Sequence, residues 1–409
     1  MKILIHTDEY YPTAQACSHR MQVFADTFIS LGDEVTVVTS SANKANGMID
    51  KTTHKEKIIY SPAIRMKKKT TVMRMLNNLS FGITSIFSAI GAGKVDVVIT
   101  TSPPPLVSIP GWIIAKCKGA KLVHDVRDIW PDVALEMGSF TEDSFYCKIF
   151  KKITEFMCKH ADVVTTVSPG KVEKIKRYLS SHSEHETGYS HISKVWLVGN
   201  GFDENVVKSK FDQTIVDKYK LDEKFTCVYI GNIGLAQGLG ALLDVAAKTK
   251  HRDIQFLCFG MGAEQKILEN RVKEEGLTNV KFCGVVEHSK VFSILSRAKL
   301  SFIPLRSSNM KDSVPTKIFE ALGIGCPVFL LAEGDSVDIL AEAKLGYSIS
   351  PDDTDRLVDV FDDMIDHYDD FDAHIDKAIR IMHDKYSRQK IAIDFEKKLR
   401  KLCGKQASM

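Results

Sequence analysis

Short apolar runs alternate with amphipathic stretches from the first residue onward. KILIH reads as a strand, and from Arg20 to Leu31 the apolar residues Met21, Phe24, Phe28 and Leu31 fall at helical spacing. EVTVVTS and VDVVIT are again strands, and KLVHD and DVVTTVS follow further helical segments. Strands built from Val and Ile with helices between them predict a parallel sheet covered on both faces. The pattern then restarts: VWLVGNG, a polar stretch, FTCVYIG, a helix from Leu239, IQFLCFG, a helix from Ala263, VKFCGVV, a helix from Val291, LSFIPL, a helix from Pro315, and PVFLL. The fold class is therefore α/β, with two doubly wound, Rossmann-like domains at residues 1–203 and 204–385. A last helix within 386–409, carrying Ile391, Phe395 and Leu399, is long enough to pack back on the first domain. Between Asp352 and Asp376, eleven Asp alternate with Leu357, Val360, Phe361, Met364, Ile365 and Tyr368, which predicts a helix with a solvated acidic face.

With 409 residues, 44% of them hydrophobic, the chain has enough apolar material for two cores. Fifty-five basic against fifty-two acidic groups leave a net charge of +3, which suits neither a nucleic-acid wrapper nor a disordered acidic segment. The nine cysteines are an odd number with no Cys-x-x-Cys pair, which argues for reduced thiols in a cytosol and against disulfides or zinc. The opening MKILIHTDEYYP runs from a strand into charge and lacks the apolar core of a signal peptide. Met75–Gly93 and Val97–Ala115 are uncharged, but the first holds Asn, Ser and Gly and the second four prolines, so neither reads as a membrane span.

Two doubly wound domains direct their strand C-terminal ends at a ligand cleft, so the residues that follow strands carry the chemistry. After the first strand, YYPTAQACSHR has no glycine, and none occurs before Gly32, which excludes the G-x-G-x-x-G turn of a hydride-transfer enzyme. Ala14 and Ala16 still allow that loop to close under a substrate, or simply to connect strand to helix. In VYIGNIGLAQGLG, Gly231, Gly234 and Gly238 make a tight turn into a helix whose free amides form an anion site in principle. Glycines also follow strands for plain steric reasons. In VPTKIFEALGIG, Pro315 suits a first helical turn, Lys317 lies in that turn, and Glu320 follows three residues later on the same face. That pair suits a phosphate beside a ribose diol, or alternatively an exposed ion pair. His124, Asp125, Arg127 and Asp128 in KLVHDVRDIWPD come off a buried strand where the cleft opens.

Taken together, KILIHTDEYYP, VRDIWPD, Asn200-Gly201 with Asp203, GNIGLAQGL, Phe259–Gly262 and VPTKIFEALGIGCPV resemble the group 1 glycosyltransferases, family 4, whose arrangement is called GT-B. The pattern is similar to a subgroup found in capsule and O-antigen gene clusters, some of whose members resemble N-acetyl-L-fucosamine transferases. The resemblance implies that Glu320 holds the donor ribose and that Asp312, Asp where the family pattern has Glu, touches the donor sugar. It places His124 near the transferred sugar, so the catalytic expectation is His124 and Asp312. Where many members carry Arg and Lys around the glycine turn, this chain has Asn232 and Gln237. Lys317, Arg306, Thr316 and the helix-start amides, with Asn232, Gly234 and Gly262, then form the donor-binding set. Asp125, Arg127, Asp128 and Ala14 form the acceptor side.

The implied reaction moves a sugar from a nucleotide diphosphate, a UDP-sugar, to a polyprenyl-diphosphate-linked saccharide with retention. The nucleotide sugar is a substrate; no cofactor and no metal are implied, and no metal-ligand spacing is present. From Lys57 to Val95 there is no Asp or Glu, while Arg65, Lys67, Lys68, Lys69 and Arg74 lie beside an apolar run that includes Leu76, Leu79, Ile83 and Phe87. This suits contact with an anionic membrane surface, with Lys67, Lys68, Lys69 and Arg74 touching lipid, or a solvated loop before a core helix. The expected location is cytoplasmic, peripheral on the inner face of the plasma membrane. Two alternatives stand beside the transferase: a sugar-nucleotide 2-epimerase, and a silent nucleotide-sugar-binding subunit.

Overall fold

The computed structural model describes residues 1–11, 16–42, 54–65, 71–136, 141–180 and 194–405. The chain divides into two compact units, Met1–Asn200 with Gln389–Met409, and Gly201–Arg388. The divisions expected at 203 and 385 thus lie at 200 and 388. The cause is local pairing: Phe202 N–H donates to Tyr386 O at 2.7 Å, Arg388 N–H donates to Phe202 O at 2.9 Å, and Arg388 Nη1 lies 3.3 Å from Asp203 Oδ2. These bonds hold both flanking segments inside the second unit.

The first unit is built on a parallel seven-stranded sheet: β1 (Lys2–His6), β2 (Glu34–Ser40), β3 (Lys57–Ser61), β4 (Val97–Ser102), β5 (Lys121–Val126), β6 (Val163–Thr166) and β7 (Val195–Leu197), in the order 3-2-1-4-5-6-7. Strand alternation sorts the side chains to two faces. Ile3, Ile5, Val37, Ile99 and Val123 lie with Met21, Phe24 and Phe28 of helix Ala16–Ser30, while Leu4, Val38, Val98, Leu122 and Val126 lie with Ile114, Met157 and Ile175. The C-terminal helix Arg388–Leu402 completes the first face: the Phe395 ring sits 5.5 Å from that of Phe24 and 6.0 Å from that of Phe28, and Arg400 pairs with Asp33 at 2.6 Å.

The second unit carries a parallel six-stranded sheet of β8 (Thr226–Ile230), β9 (Gln255–Phe259), β10 (Val280–Gly284), β11 (Leu300–Pro304), β12 (Val328–Leu331) and β13 (Gly346–Ile349), in the order 10-9-8-11-12-13. The winding direction reverses between β8 and β11, which places a ligand crevice beyond the C-terminal ends of those two strands. The acidic stretch forms helix Leu357–Asp366, the 3-10 turn Tyr368–Ala373 and helix Ile375–Asp384. Leu357, Phe361 and Met364 are buried as expected, but Asp362 also turns inward, accepting from Thr249 Oγ1 and from Lys250 N–H at 3.1 Å. All nine cysteines are free, and among the described residues no helix is long and apolar enough to cross a membrane.

Candidate functional site

In the second unit, helix Thr316–Ile324 starts after Pro315, whose fixed φ suits the entry and which offers no side-chain cap. Its first bond is Ile318 N–H to Pro315 O at 3.1 Å, so the amides of Thr316 and Lys317 precede the intrahelical ladder. Lys317 extends from this turn over the end of β8, its Nζ 3.9 Å from the centroid of the Tyr229 ring. A methyl group on Gly231 would come within 2.9 Å of that Nζ, so glycine there leaves room for the ammonium. Among the described residues Lys317 makes no ion pair. Burial lowers its pKa to about 7, against an opposing pull from Glu320. A cation held against an aromatic face, without a carboxylate partner, is poised to meet an incoming anion.

Glu320 lies one turn further on, and its Oε1 is 3.8 Å from His288 Nε2, at the start of helix His288–Leu295. The interaction with the Glu320 carboxylate raises the His288 pKa above its ordinary value. Sequence reasoning missed His288; the E-H pair in VEHSK carried no signal that its His would meet a residue thirty-two positions on.

The glycine turn after β8 is held by its own atoms. Gln237 accepts from Gly234 N–H at 3.1 Å, so its side chain closes the turn, while Asn232 is exposed. Arg306, exposed after β11, donates to Leu235 O at 3.3 Å and lies 3.4 Å from Glu264. Its backbone crowds Gly238, which has φ +60° and would place a methyl group 2.9 Å from Arg306 Cα. Arg306 thus lies beside the turn, partnered by Glu264. Gly262 answers a packing demand: a side chain there would overlap the Ile233 carbonyl, because the loops after β8 and β9 run backbone against backbone, with Ile233 N–H donating to Met261 O at 2.9 Å. Asp312 is only 5% exposed, in the connection before the helix.

In the first unit the expected catalytic residue His124 and the expected acceptor residues divide. His124 and Asp125 do not come off the end of β5; they lie within it, because pairing to β4 continues through Thr100–His124, Thr101–Asp125 and Ser102–Val126. Asp125 is wholly buried, its Oδ1 3.3 Å from Arg20 Nη2 and accepting from Thr165 Oγ1 at 2.7 Å, while Arg20 also donates to Val198 O and Gly199 O. Its carboxylate therefore anchors helix Ala16–Ser30 and the strand β7 exit rather than facing a substrate. His124 is buried on the opposite face, burial lowers its pKa to about 4, and its Nδ1 has no hydrogen-bond partner among the described residues. Arg127 and Asp128 do follow the strand: Arg127 Nη2 donates to Pro103 O at 3.1 Å, and Asp128 lies 3.4 Å from the buried Lys171 Nζ. Asp8, just beyond β1, was missed; burial and then neighbouring Glu9 push its carboxyl up to about 7. Its signal was the same as that of Arg127, charge directly after a buried strand. Ala14, Lys67, Lys68 and Lys69 lie outside the described residues, and Arg74 is exposed. Among the described residues no group of three or more His, Cys, Asp or Glu is placed to hold a metal ion.

Residues 211–382 match the family described as glycosyl transferases group 1. WcaI of Escherichia coli K12, named as a colanic acid biosynthesis glycosyl transferase, is 22% identical over 81% of this chain and 84% of its own. The fold is similar to that of Anabaena HepE solved with UDP and glucose (TM-score 0.74, 15% identity, 98% of this chain and 100% of that one). It is also similar to WaaG, a glycosyltransferase involved in lipopolysaccharide biosynthesis (TM-score 0.72, 14% identity, 97% and 99%).

Proposed function

We propose that this protein, a group 1 glycosyltransferase with the GT-B fold, moves a hexosyl group with retention from a UDP-sugar to a polyprenyl-diphosphate-linked saccharide in the assembly of a surface polysaccharide. The observation that carries the donor reading is the Lys317 ammonium on Tyr229 at the switch point, with Glu320 one helical turn beyond. Lys317 and the Thr316 and Lys317 amides face the diphosphate, and Glu320, steadied by His288, accepts from the ribose hydroxyls. HepE, of the same fold, was crystallised in complex with UDP and glucose, and WcaI and WaaG carry names from surface-polysaccharide synthesis.

In the reaction the bond from the anomeric carbon to the diphosphate oxygen breaks and a bond to the acceptor oxygen forms on the same face. The acceptor proton passes to the departing phosphate oxygen. Charge growing on the diphosphate is met by Lys317, by Arg306 once it leaves Glu264, and by the helix-start amides. Asp312 contacts the donor sugar, and His124, neutral at pH 7, positions it. A lipid-linked acceptor places the enzyme at the cytoplasmic face of the membrane as a peripheral protein.

UDP, UDP-sugars and GDP-sugars are compared for the rise in melting temperature they produce, since a ligand of the native state stabilises it by mass action. UDP compounds are expected to raise it in the wild type and not in Lys317→Ala or Glu320→Ala; equal shifts in all three proteins overturn the donor site. Labelled UDP-sugar incubated with membranes is expected to label lipid, and an epimerised nucleotide sugar in its place assigns the chemistry to a 2-epimerase.

A further inference from the structure

Helix Thr71–Ser88, continued by the 3-10 turn Ala89–Ala92, buries Asn77, Phe81, Ser85 and Ala89 against the first unit, and Gly82 sits directly on Pro110. Its opposite side is apolar along its whole length. Val72, Leu76, Leu79, Ile83, Phe87 and Ile90 recur at steps of three and four residues, so they line one stripe of the helix, and all six are exposed, Phe87 to 68% and Ile90 to 71%. At 1.5 Å per residue the stripe is about 27 Å long. A soluble surface seldom leaves a continuous row of this kind open to water.

The charge around the stripe has one sign. Arg65, Arg74 and Lys94 are exposed, and no Asp or Glu occurs from Lys57 to Val95. The Lys57 and Lys118 ammonium groups donate to the carbonyls of Gly91 and Gly93, at 2.6 and 2.7 Å, which ties the C-terminal end of the row to the body of the unit. We propose that this face is a docking surface for an anionic lipid bilayer, lying in the interface with its apolar stripe below the headgroups and its cations among them. Charge complementarity selects this occupant. A second copy docked face to face would bring like charges together, and a helix that keeps a polar, packed side lies on a membrane rather than crossing it. The inference deepens the lipid-linked acceptor reading by naming the surface that meets the lipid, and its own support is independent of the donor site.

The experiment uses the full chain with sucrose-loaded phosphatidylcholine vesicles, with and without phosphatidylglycerol, in a sedimentation assay. The wild type is expected to sediment with the anionic vesicles, and added salt to weaken but not abolish this, since apolar insertion is not screened. Leu79→Glu with Phe87→Glu is expected to lower partitioning about a hundredfold while the UDP-induced rise in melting temperature persists. In Phe87→Trp the indole emission is expected to shift to the blue on addition of the anionic vesicles. Wild-type protein left in the supernatant, undiminished binding of the double variant, or an unshifted indole in vesicle-bound protein each overturns the proposal. Self-association of the wild type that is lost in the double variant, with vesicle binding unchanged, assigns the face to a second copy and also overturns it. Absence of a UDP response in the wild type counts against the donor site and leaves the vesicle result standing.

Discussion

Lys317 sets a pH dependence that can be worked out by sign. Its folded pKa of about 7 lies below the ordinary lysine value because burial disfavours the ammonium. Donor affinity, which needs that ammonium, is therefore full below pH 7 and falls as pH rises through it. His288 acts in the same direction: its pKa is raised through Glu320, so protonation holds the pair together until pH exceeds that raised value. Titration calorimetry of UDP binding from pH 6 to 9 is expected to show weakening on the alkaline side, and in Lys317→Ala a weaker affinity with a shallower fall, the part left to His288. A flat wild-type profile removes Lys317 from the diphosphate. His124→Ala is expected to lower turnover with little change in UDP affinity, and unaltered turnover marks His124 as a packing residue of β5. At this scale the sequence revealed residues whose partners are close in the chain. Lys317 and Glu320 were legible because one helical turn joins them, whereas the burial of Asp125 was not, because its partner Arg20 arrives from another element.

The alternation of strands and helices was legible because the periods of two and three to four residues differ, and the starts of the helices were met within a few residues. What the pattern left unread were contacts between loops. The resemblance put Gly262 in the donor-binding set, but the clearest demand on the glycines of FGMG is steric: Gly260 has φ +138° and abuts the Gly231 carbonyl, as Gly262 does that of Ile233. Gly262→Ala is expected to cost about 1–3 kcal/mol in urea denaturation, the range for forcing a methyl group into a filled space. An unchanged transition midpoint shows that the two loops separate without strain. The last helix gives a larger effect. Phe395 is 1% exposed between Phe24 and Phe28, and Phe395→Ala is expected to lose about 3–5 kcal/mol by the same measurement.

Across the whole molecule, the two doubly wound halves were readable from the restart of the pattern, but the division was not, because the bonds from Phe202 and Asp203 to residues 386–388 join segments far apart in the chain. Charge was informative at this level in its distribution rather than its sum: a net +3 conceals a span from Lys57 to Val95 with no carboxylate. Removing residues 389–409 is expected to leave the second unit folded and the first unit open to limited proteolysis around Phe24 and Phe28. Equal protease resistance of both units in the shortened protein shows that the first unit closes without its last helix.

Because the first unit is written in two pieces, Met1–Asn200 and Gln389–Met409, its completion is deferred during synthesis. A ribosome that has emitted the opening two hundred residues has produced a sheet whose Phe24 and Phe28 remain uncovered while the entire second unit is translated. The growing polypeptide thus carries a sticky, unfinished half while the second unit is made, and chaperone occupancy is expected to end only when helix Arg388–Leu402 leaves the exit tunnel.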